Sequence, residues 1–335
     1  MEEESRIRWL DAARGYGILL VIFAHVDYSF LRGIIYTFHM PLFFFLSGYV
    51  FSRKETFGQF VKGKIRRILV PYFCLGIPML IFDVFLQRRF QFFSVLLARQ
   101  ELIALLEQRR LWTLWYIACL FWLNILFYGL VTFVKNEKVL AAVTVILAVV
   151  GLVYYALGGD ALYWNVDVCL TALPFFYAGY MCRKKQIPEK YIFPAKHKML
   201  LGMGAFLIVI LSMILNQTFA GDHLEMFYNH YGIAPVTYLG AFAGILLMLL
   251  FANRFAVKPA CYLGENSILY YAWHQTILIP LLDGLYMKLG ISQLPTGSLP
   301  YFCRGILSVV VICVVLTAAN KVMHCGVLKV ALGEK

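Results

Sequence analysis

Apolar runs separated by short polar segments recur along the whole chain. Most are about 18 residues or longer, the length at which a helix crosses the hydrocarbon core of a bilayer. Because a helix satisfies its own backbone hydrogen bonds in lipid, the pattern predicts an all-α, polytopic integral membrane protein. The ten predicted spans cover residues 10–30, 34–52, 68–86, 112–134, 139–157, 167–182, 199–216, 233–252, 263–286 and 301–320.

The polar segments between these spans differ in charge. Lys and Arg concentrate in alternate segments, most strongly in 53–67 and 183–198. Basic residues favour the cytoplasmic side, so the alternation predicts that both termini are cytoplasmic. The exception is segment 87–110, which this topology places outside despite its arginines. Its mixture of apolar and polar positions fits an amphipathic helix on the bilayer surface, either an anchor or a lid or docking platform for an anionic acceptor.

Composition narrows the class of protein. Hydrophobic residues make up 61% of the 335 positions and charged residues only 14%, which excludes an ordinary soluble domain. Loop sidedness accounts for the net charge of +12, so we expect a lipid bilayer and no nucleic acid as partner. We expect one transmembrane domain over residues 1–335, multi-pass in the cell membrane, with no appended soluble domain. The first apolar run holds Arg14 and His25, so we expect a permanent span and not a signal peptide.

Four polar residues in the first two spans are candidates for catalysis, since ionisable residues inside a bilayer are costly and usually functional. Arg14 and His25 share one face of the first helix, roughly 16 Å apart. Asp11 lies close to Arg14 on that face and can hold it in position. A neutral His25 suits a general base toward a hydroxyl or a nucleophile toward an acyl group. His39, near Pro41, is either catalytic or a partner for backbone groups that the proline frees.

The segment RKETFGQFVKGKIRR, which follows the second span, is strongly basic. One interpretation is topology and attraction to anionic lipid. The alternative is a phosphate clamp, in which Arg66 and Arg67 make bidentate contacts and Lys62 and Lys64 act as point charges.

Two further segments offer polar groups for a substrate. GENSILYYAWH, at the start of the ninth span, places Ser267, Tyr271 and His274 at helical spacing, for substrate binding or for hydrogen bonding between helices. LWTLWYI carries Trp115, which is either an interfacial belt residue or a substrate contact.

The outer segment 221–230 contains Asp222, His223, Glu225 and His230, but its spacing matches no standard metal site. The eight cysteines show no C-x-x-C spacing and are expected to pack as small apolar residues. We therefore expect no metal cofactor.

Several of these stretches occur together and in order: WLDAARGYGILLVIFAH, FHMPLFFFLSGYVF, KIRRILVPY, LWTLWYI, LPFFYAGY and GENSILYYAWH. In them the chain resembles membrane acyltransferase family 3, the group that includes bacterial O-acetyltransferases of sugars and peptidoglycan and the fucose 4-O-acetylase relatives. The spacing from Arg14 to His25 is similar to the Arg/Lys-to-His motif of that family.

The resemblance implies transfer of an acetyl or other acyl group from cytoplasmic acetyl-CoA to a hydroxyl of a sugar or cell-envelope glycan. It assigns the essential histidine to His25, the essential basic residue to Arg14, and the CoA-binding cations to Lys64, Arg66 and Arg67. Whether His25 acts as base or as transient acyl carrier stays open. Some relatives carry an extracytoplasmic esterase-like domain, so a separate extracytoplasmic transferase is a further expected partner.

A transporter or sensor of small molecules is the alternative function. A related membrane domain is fused to the serine racemases of vancomycin-resistance systems, where uptake of an amino acid is implied. In that alternative, His25 and Arg14 would line a substrate path.

Overall fold

The computed structural model describes residues 7–27, 29–53, 55–91, 93–221 and 224–333. Asp222 and His223, named above as candidate polar groups of the outer segment, lie outside these residues. Within the described ranges the chain forms fifteen α-helices: α1 (Arg8–Val26), α2 (Phe30–Tyr36), α3 (His39–Tyr49), α4 (Phe57–Lys64), α5 (Val70–Arg89), α6 (Val95–Glu107), α7 (Trp115–Phe133), α8 (Glu137–Ala156), α9 (Val166–Lys185), α10 (Lys198–Ala220), α11 (Ala234–Arg254), α12 (Lys258–Glu265), α13 (Ser267–Trp273), α14 (Ile279–Lys288) and α15 (Leu299–Met323).

Three wider π-helical turns interrupt this pattern. They span Ile65–Leu69, Pro188–Ile192 and His274–Leu278. Such turns occur frequently at functional sites because they rotate the side chains that follow. Two of the three coincide with segments that the sequence singled out for chemistry, namely the basic segment and the segment that contains His274.

The all-helical prediction is confirmed for the described residues. Eight helices there are long and apolar enough to cross a membrane: Arg8–Val26, Phe30–Tyr49, Phe57–Arg89, Trp115–Phe133, Glu137–Ala156, Lys198–Ala220, Ala234–Arg254 and Leu299–Met323. They correspond to eight of the ten predicted spans. The chain is therefore a multi-pass membrane protein by the length and hydropathy of its helices.

The sixth and ninth predicted spans are the two that differ. α9 covers the sixth with 20 residues, but it carries Asp167 near one end and three cations at the other. The ninth is divided among α12, α13, the turn at His274 and α14. The total of ten spans and the cytoplasmic placement of both termini stay predictions.

The chain folds as two compact units. The first comprises Met1–Phe51, Pro174–Met226 and His230–Ser267; the second comprises Ser52–Leu173, Phe227–Asn229 and Ile268–Lys335. Three segments of the chain alternate with three others, so neither unit is continuous in sequence. The single transmembrane domain expected over residues 1–335 stays a prediction.

In the first unit, α1 and α12 cross at two glycines. A Cβ atom at Gly15 would lie 1.9 Å from the carbonyl oxygen of Ala260, and one at Gly264 would lie 1.8 Å from that of Asp11. No side chain fits at these distances, so the crossing requires glycine on both helices. Small residues of this kind let membrane helices approach closely. The crossing brings together the segments WLDAARG and GENS, which are far apart in the sequence.

In the second unit, α4, the π turn and α5 follow one another without a break. α6 packs beside α5, where the Tyr72 hydroxyl donates to the carbonyl of Leu105 at 2.5 Å and the Leu105 side chain is buried. The opposite side of α6 exposes large apolar residues, among them Val95 at 76%. The helix predicted within segment 87–110 is thus present, and its location on the bilayer surface stays a prediction.

Candidate functional site

α1 carries three of the predicted site residues along one helix. Near its start, Arg14 Nη1 lies 3.9 Å from Asp11 Oδ1, and the Asp11 side chain is largely buried. His25 lies in the last turn, about three turns beyond Arg14. Because α1 is an uninterrupted helix, it fixes the spacing between the ion pair at one end and the imidazole at the other.

The imidazole of His25 is oriented by the backbone of its own helix. Its Nδ1–H donates to the carbonyl of Val21 at 2.7 Å. A carbonyl can only accept, so in the neutral ring this bond leaves the lone pair on Nε2. His25 is half-buried. The arrangement supplies a positioned basic nitrogen that is not sealed inside the helix bundle.

Tyr36 connects His25 with His39. The ring centroid of Tyr36 lies 6.2 Å from that of His25 and 4.8 Å from that of His39. The Arg32 guanidinium lies 4.8 Å above the same ring, and its Nη2 donates to the Tyr36 hydroxyl at 3.2 Å. The two histidines predicted from sequence therefore meet around a tyrosine, beside a cation.

His39 is the first residue of α3 and is buried. Its Nδ1–H donates to the carbonyl of Ile35 at 3.1 Å, so it holds the same tautomer as His25. Ile35 lies on α2, and the bond spans the break between α2 and α3. The Nδ1 of His39 therefore bonds a backbone carbonyl of the preceding helix, and a catalytic role for this ring stays a prediction.

Asp27 follows His25 by two residues and has no exposed surface. Its Oδ1 accepts from the backbone N–H of Ser29 at 2.6 Å. A buried carboxylate is costly in an apolar surrounding, so its place directly after α1 marks the end of that helix as a polar site.

In the second unit, three of the predicted substrate residues form one aromatic row. Trp115 lies 6.2 Å from Tyr116, Tyr116 lies 5.3 Å from Tyr271, and Tyr271 lies 6.3 Å from His274, all between ring centroids. The Thr113 hydroxyl donates to the carbonyl of Ala272 at 2.9 Å and ties the two segments together. LWTLWYI and YYAWH are therefore packed against each other. Ser267 is the first residue of α13 and the last residue of the first unit, whereas the rest of α13 belongs to the second.

His274 is fully buried, with 0% of its surface exposed. Its Nδ1 lies 2.9 Å from the carbonyl oxygens of both Tyr270 and Tyr271. Its ring therefore serves the backbone at the point where α13 passes into the π turn.

The basic segment lies in the second unit. Lys64 ends α4 with its Nζ 5.2 Å from the ring centroid of Phe60, and Arg66 and Arg67 fall within the π turn. Lys64 and Arg66 are half-buried and Arg67 is exposed. A Cβ atom at Gly333 would lie 2.9 Å from the carbonyl oxygen of Arg66, so the end of the described chain packs against this turn.

The end of segment 87–110 holds an ion pair that the sequence did not indicate. Arg110 donates through Nη2 to Asp167 and through Nη1 to Asn165 Oδ1, the latter at 2.8 Å. Both Arg110 and Asn165 have positive φ, at 57° and 53°, as does Trp164 at 56°. Strained, non-glycine backbone of this kind persists only where surrounding contacts enforce it, and it clusters at functional sites.

A family model for an acyltransferase domain matches residues 7–318, nearly the whole chain. The chain belongs to acyltransferase family 3. The resemblance inferred from the motifs is thus confirmed, and with eight candidate spans the protein is a membrane acyltransferase. The family match gives no support to a transporter or sensor. Comparison with curated proteins and with solved structures finds no match.

Sequence reasoning missed three residues of the acyltransferase's first unit that surround the histidines: Tyr36, Arg32 and Asp27. Tyr36 precedes His39 by three residues, the separation at which helical side chains meet, and this spacing is the signal that could have identified it. Arg32 resembled an ordinary cation at the end of a span. Asp27 falls within the predicted span 10–30, where an ionisable residue is itself a signal, and its position in that span could have identified it.

Proposed function

We propose that this family member is an O-acyltransferase that moves an acetyl group from cytoplasmic acetyl-CoA to a hydroxyl of a sugar or cell-envelope glycan. The observation that carries the proposal is the cluster of His25, Tyr36 and His39, with Arg32 against the tyrosine. It provides a base, a polarised hydroxyl and a cation in one place. Acyl transfer to an alcohol needs those three capabilities.

In this proposal His25 Nε2 takes the proton of the acceptor hydroxyl. The hydroxyl oxygen attacks the thioester carbonyl, a C–O bond forms, the C–S bond breaks, and the departing thiolate takes the proton from His25. Alternatively, Nε2 attacks the carbonyl itself and expels the thiolate; the acceptor oxygen then takes the acetyl group from Nε2, and the acceptor's hydroxyl proton passes to the thiolate. Both routes leave one ester and one thiol, and both use the same nitrogen.

Tyr36 and Arg32 would stabilise the negative charge that develops on the carbonyl oxygen. The phenol accepts a hydrogen bond from Arg32, and the adjacent cation would strengthen donation by the phenol O–H to that oxygen. His39 would orient Tyr36 or serve as a second base. The proximity of its ring, at 4.8 Å, supports either role.

The donor would be held by its phosphates. Lys64, Arg66 and Arg67 supply cations in the second unit, and Arg14 supplies one on α1 below His25. Asp11 would hold Arg14 for this task, as their 3.9 Å separation suggests. Arg14→Ala should mainly weaken the use of acetyl-CoA, raising its KM. An unchanged dependence of the rate on acetyl-CoA concentration would remove that role from Arg14.

Trp115, Tyr271 and Ser267 are proposed to contact the acceptor, and His274, which has no exposed surface, is proposed to position Tyr271 for that contact. An aromatic row suits the apolar faces of a sugar ring, and Ser267 would add a hydrogen-bonding group. Acceptors handled by a separate extracytoplasmic transferase, after transfer within the membrane, are compatible with the same chemistry. No metal is needed for either route.

The proposal is tested by following both products. Purified protein in nanodiscs should release CoA thiol from acetyl-CoA when an acceptor glycan is supplied. Envelope glycans from cells with and without the protein should differ by the mass of acetyl groups. Glycans of identical mass, together with no thiol release above the rate of empty nanodiscs, would contradict the proposal.

A further inference from the structure

A second cluster of cations lies in the first unit, apart from the residues proposed for catalysis. It lines a cavity of about 700 Å³. The walls come from the start of α1, the end of α9 with the π turn that follows it, and the end of α11. The lining residues are Ile7, Arg8, Trp9, Arg183, Gln186, Glu189, Asn253, Arg254 and Ala256.

The charge of this cavity is positive. Arg8, Arg183 and Arg254 contribute three guanidinium groups, whereas Glu189 is the one carboxylate among the lining residues. Glu189 Oε1 is already engaged, because it accepts from the Tyr49 hydroxyl at 2.5 Å. With three guanidinium groups against one carboxylate, the lining has a net positive charge, which favours an anion.

Arg8 is the residue that ordinary helix chemistry does not explain. Arg183 and Arg254 lie in the last turns of α9 and α11, where cations are favoured by the helix dipole. Arg8 is in the first turn of α1, where the dipole disfavours a cation. Its Nη2 donates to the carbonyl of Ala256 at 3.0 Å, which holds the guanidinium at the cavity wall. An anion in the cavity would offset the unfavourable position.

The start of α1 adds donors to the same cavity. The residue before the helix, Ile7, makes no side-chain hydrogen bond to it. Backbone N–H groups of the first turn, together with the positive end of the dipole, suit a phosphate, and here they act with three guanidinium groups. The planar guanidinium group of arginine can donate two parallel hydrogen bonds to the oxygens of one phosphate.

The size of the cavity indicates more than an inorganic ion. Ligand sites of about 300–1,000 Å³ hold small organic molecules, and this cavity falls in that range. Trp9 supplies an apolar wall, fixed by edge-to-face contacts with Tyr49 at 5.0 Å and Phe193 at 5.4 Å between ring centroids. The occupant should therefore carry a phosphate and an organic body.

We propose that the cavity formed by Arg8, Arg183 and Arg254 binds a phosphate ester. Two sources share this chemistry: the nucleotide portion of a soluble acyl donor, and the headgroup of an anionic phospholipid. The donor source rests on the function proposed above, whereas binding of a phosphate ester does not.

The test uses the full chain and two probes. Adenosine 3′,5′-bisphosphate is titrated into protein in phosphatidylcholine nanodiscs, and phosphatidylglycerol retention is counted by native mass spectrometry of protein in detergent. Arg183→Gln with Arg254→Gln should weaken binding of one probe about tenfold or more for each arginine, since each charge-assisted contact is worth at least that factor. Loss of the bisphosphate alone indicates the donor, and loss of the phospholipid alone indicates the headgroup.

A matched control is Lys196→Gln with Lys198→Gln, which removes two exposed cations from the same unit outside the cavity. The control should bind both probes as the wild type does. Equal binding by the arginine variant and the wild type for both probes would overturn the proposal, as would an equal loss in the control. If the glutamine variant does not fold, Arg183→Lys with Arg254→Lys keeps the charge but removes the forks. Binding of both probes by that variant at wild-type affinity would also overturn it.

Acetyl transfer is measured on the same samples to separate the two proposals. If the wild type transfers acetyl groups and the arginine variant binds both probes as the wild type does, the phosphate site is refuted and the enzymatic function stands. If the wild type shows no acetyl transfer but binds a probe through these arginines, the phosphate site stands and the enzymatic function is refuted.

Discussion

His25 and His274 illustrate what a buried histidine can and cannot do in a membrane helix. Both donate Nδ1–H to backbone carbonyls about one turn earlier, so their tautomers agree. They differ in access, since His25 is half-buried beside Tyr36 whereas His274 has no exposed surface. They also differ in what the ring serves: His274 faces two carbonyls at a break between helices, and His25 ends a continuous helix.

The difference shows that tautomer alone does not identify a catalytic histidine. Donation to the preceding turn is available to a histidine in any helix, because the carbonyl lies within reach of the side chain. The structure distinguishes the two sites by the partial exposure of His25 and by the Arg32 guanidinium against its neighbour Tyr36. The assignment of chemistry to His25 depends on these two features.

The largest effect should come from the crossing that fixes α1. Gly264→Val places side-chain atoms where the Asp11 carbonyl lies, so the helices must separate. We expect a loss of about 4 kcal/mol or more, seen as little monodisperse protein in size-exclusion chromatography. Gly204→Val is the control, because a Cβ there meets nothing within 4 Å. Equal yields of the two variants would show that α1 is not held by this contact.

His274→Ala should act mainly on stability. The Tyr270 and Tyr271 carbonyls lose their donor, which costs about 1–3 kcal/mol and lowers the thermal midpoint. For the protein that stays folded, we expect a higher KM for the acceptor with little change in kcat, because His274 is proposed to position Tyr271 for the acceptor. A folded His274→Ala protein without any transfer would erase the distinction between the two histidines.

Tyr36→Phe tests the hydroxyl beside His25 that Arg32 contacts. The ring stays between His25 and His39, but the hydroxyl that accepts from Arg32 is removed. We expect kcat to fall about 100- to 1,000-fold with a small change in KM, as for loss of an oxyanion donor. Tyr286→Phe removes a buried hydroxyl that pairs with Ser308 and should leave kcat unaltered. A Tyr36→Phe enzyme with wild-type kcat would restrict Tyr36 to packing.

The smallest effect is expected for Glu101, whose titration should change the stability of the protein with pH but not its catalysis. Burial and the nearby Asp83 raise the pKa of Glu101 to about 7. Because the folded state then binds a proton more tightly than the unfolded state, the stability this group contributes is present below its unfolded pKa and is lost as pH rises through about 7. Glu101→Gln should reduce the change in thermal midpoint between about pH 5 and pH 8, the range over which the group titrates.

The same variant should leave the pH profile of acetyl transfer unchanged, because α6 carries no residue of the histidine cluster. A transfer profile that shifts with Glu101→Gln would mean that the pH response does not belong to the site around His25.

Much of the helical architecture follows from the sequence, because apolar runs long enough to span a bilayer have few alternatives to helix. α1, α7, α10 and α15 match their predicted spans closely for this reason. The ninth predicted span does not: the polar residues Glu265 and Asn266 were taken into the span although a break lies there, and hydropathy gave no sign of the turn at His274. Backbone breaks of this kind depend on hydrogen bonds from neighbouring elements, which hydropathy does not report.

The candidate site was predictable only in part. His25, His39 and Arg14 were visible because charge and imidazole are conspicuous in apolar runs. Tyr36 was not conspicuous, because a tyrosine near the start of a span is ordinary and only its three-residue spacing from His39 marks it. The glycine crossing of Gly15 and Gly264 joins residues that are remote in sequence, and their proximity is set by helix packing.

The central claim is that acyl transfer occurs at His25 Nε2. The most direct test is the rate of acetyl transfer from acetyl-CoA by His25→Ala in nanodiscs, per folded molecule, beside the wild type and His324→Ala. His324 shares the same backbone contact, through Nδ1 to Asn320 at 2.7 Å, and lies outside the cluster. We predict that His25→Ala loses about a thousandfold or more while His324→Ala matches the wild type. Transfer by folded His25→Ala at the wild-type rate would contradict the account.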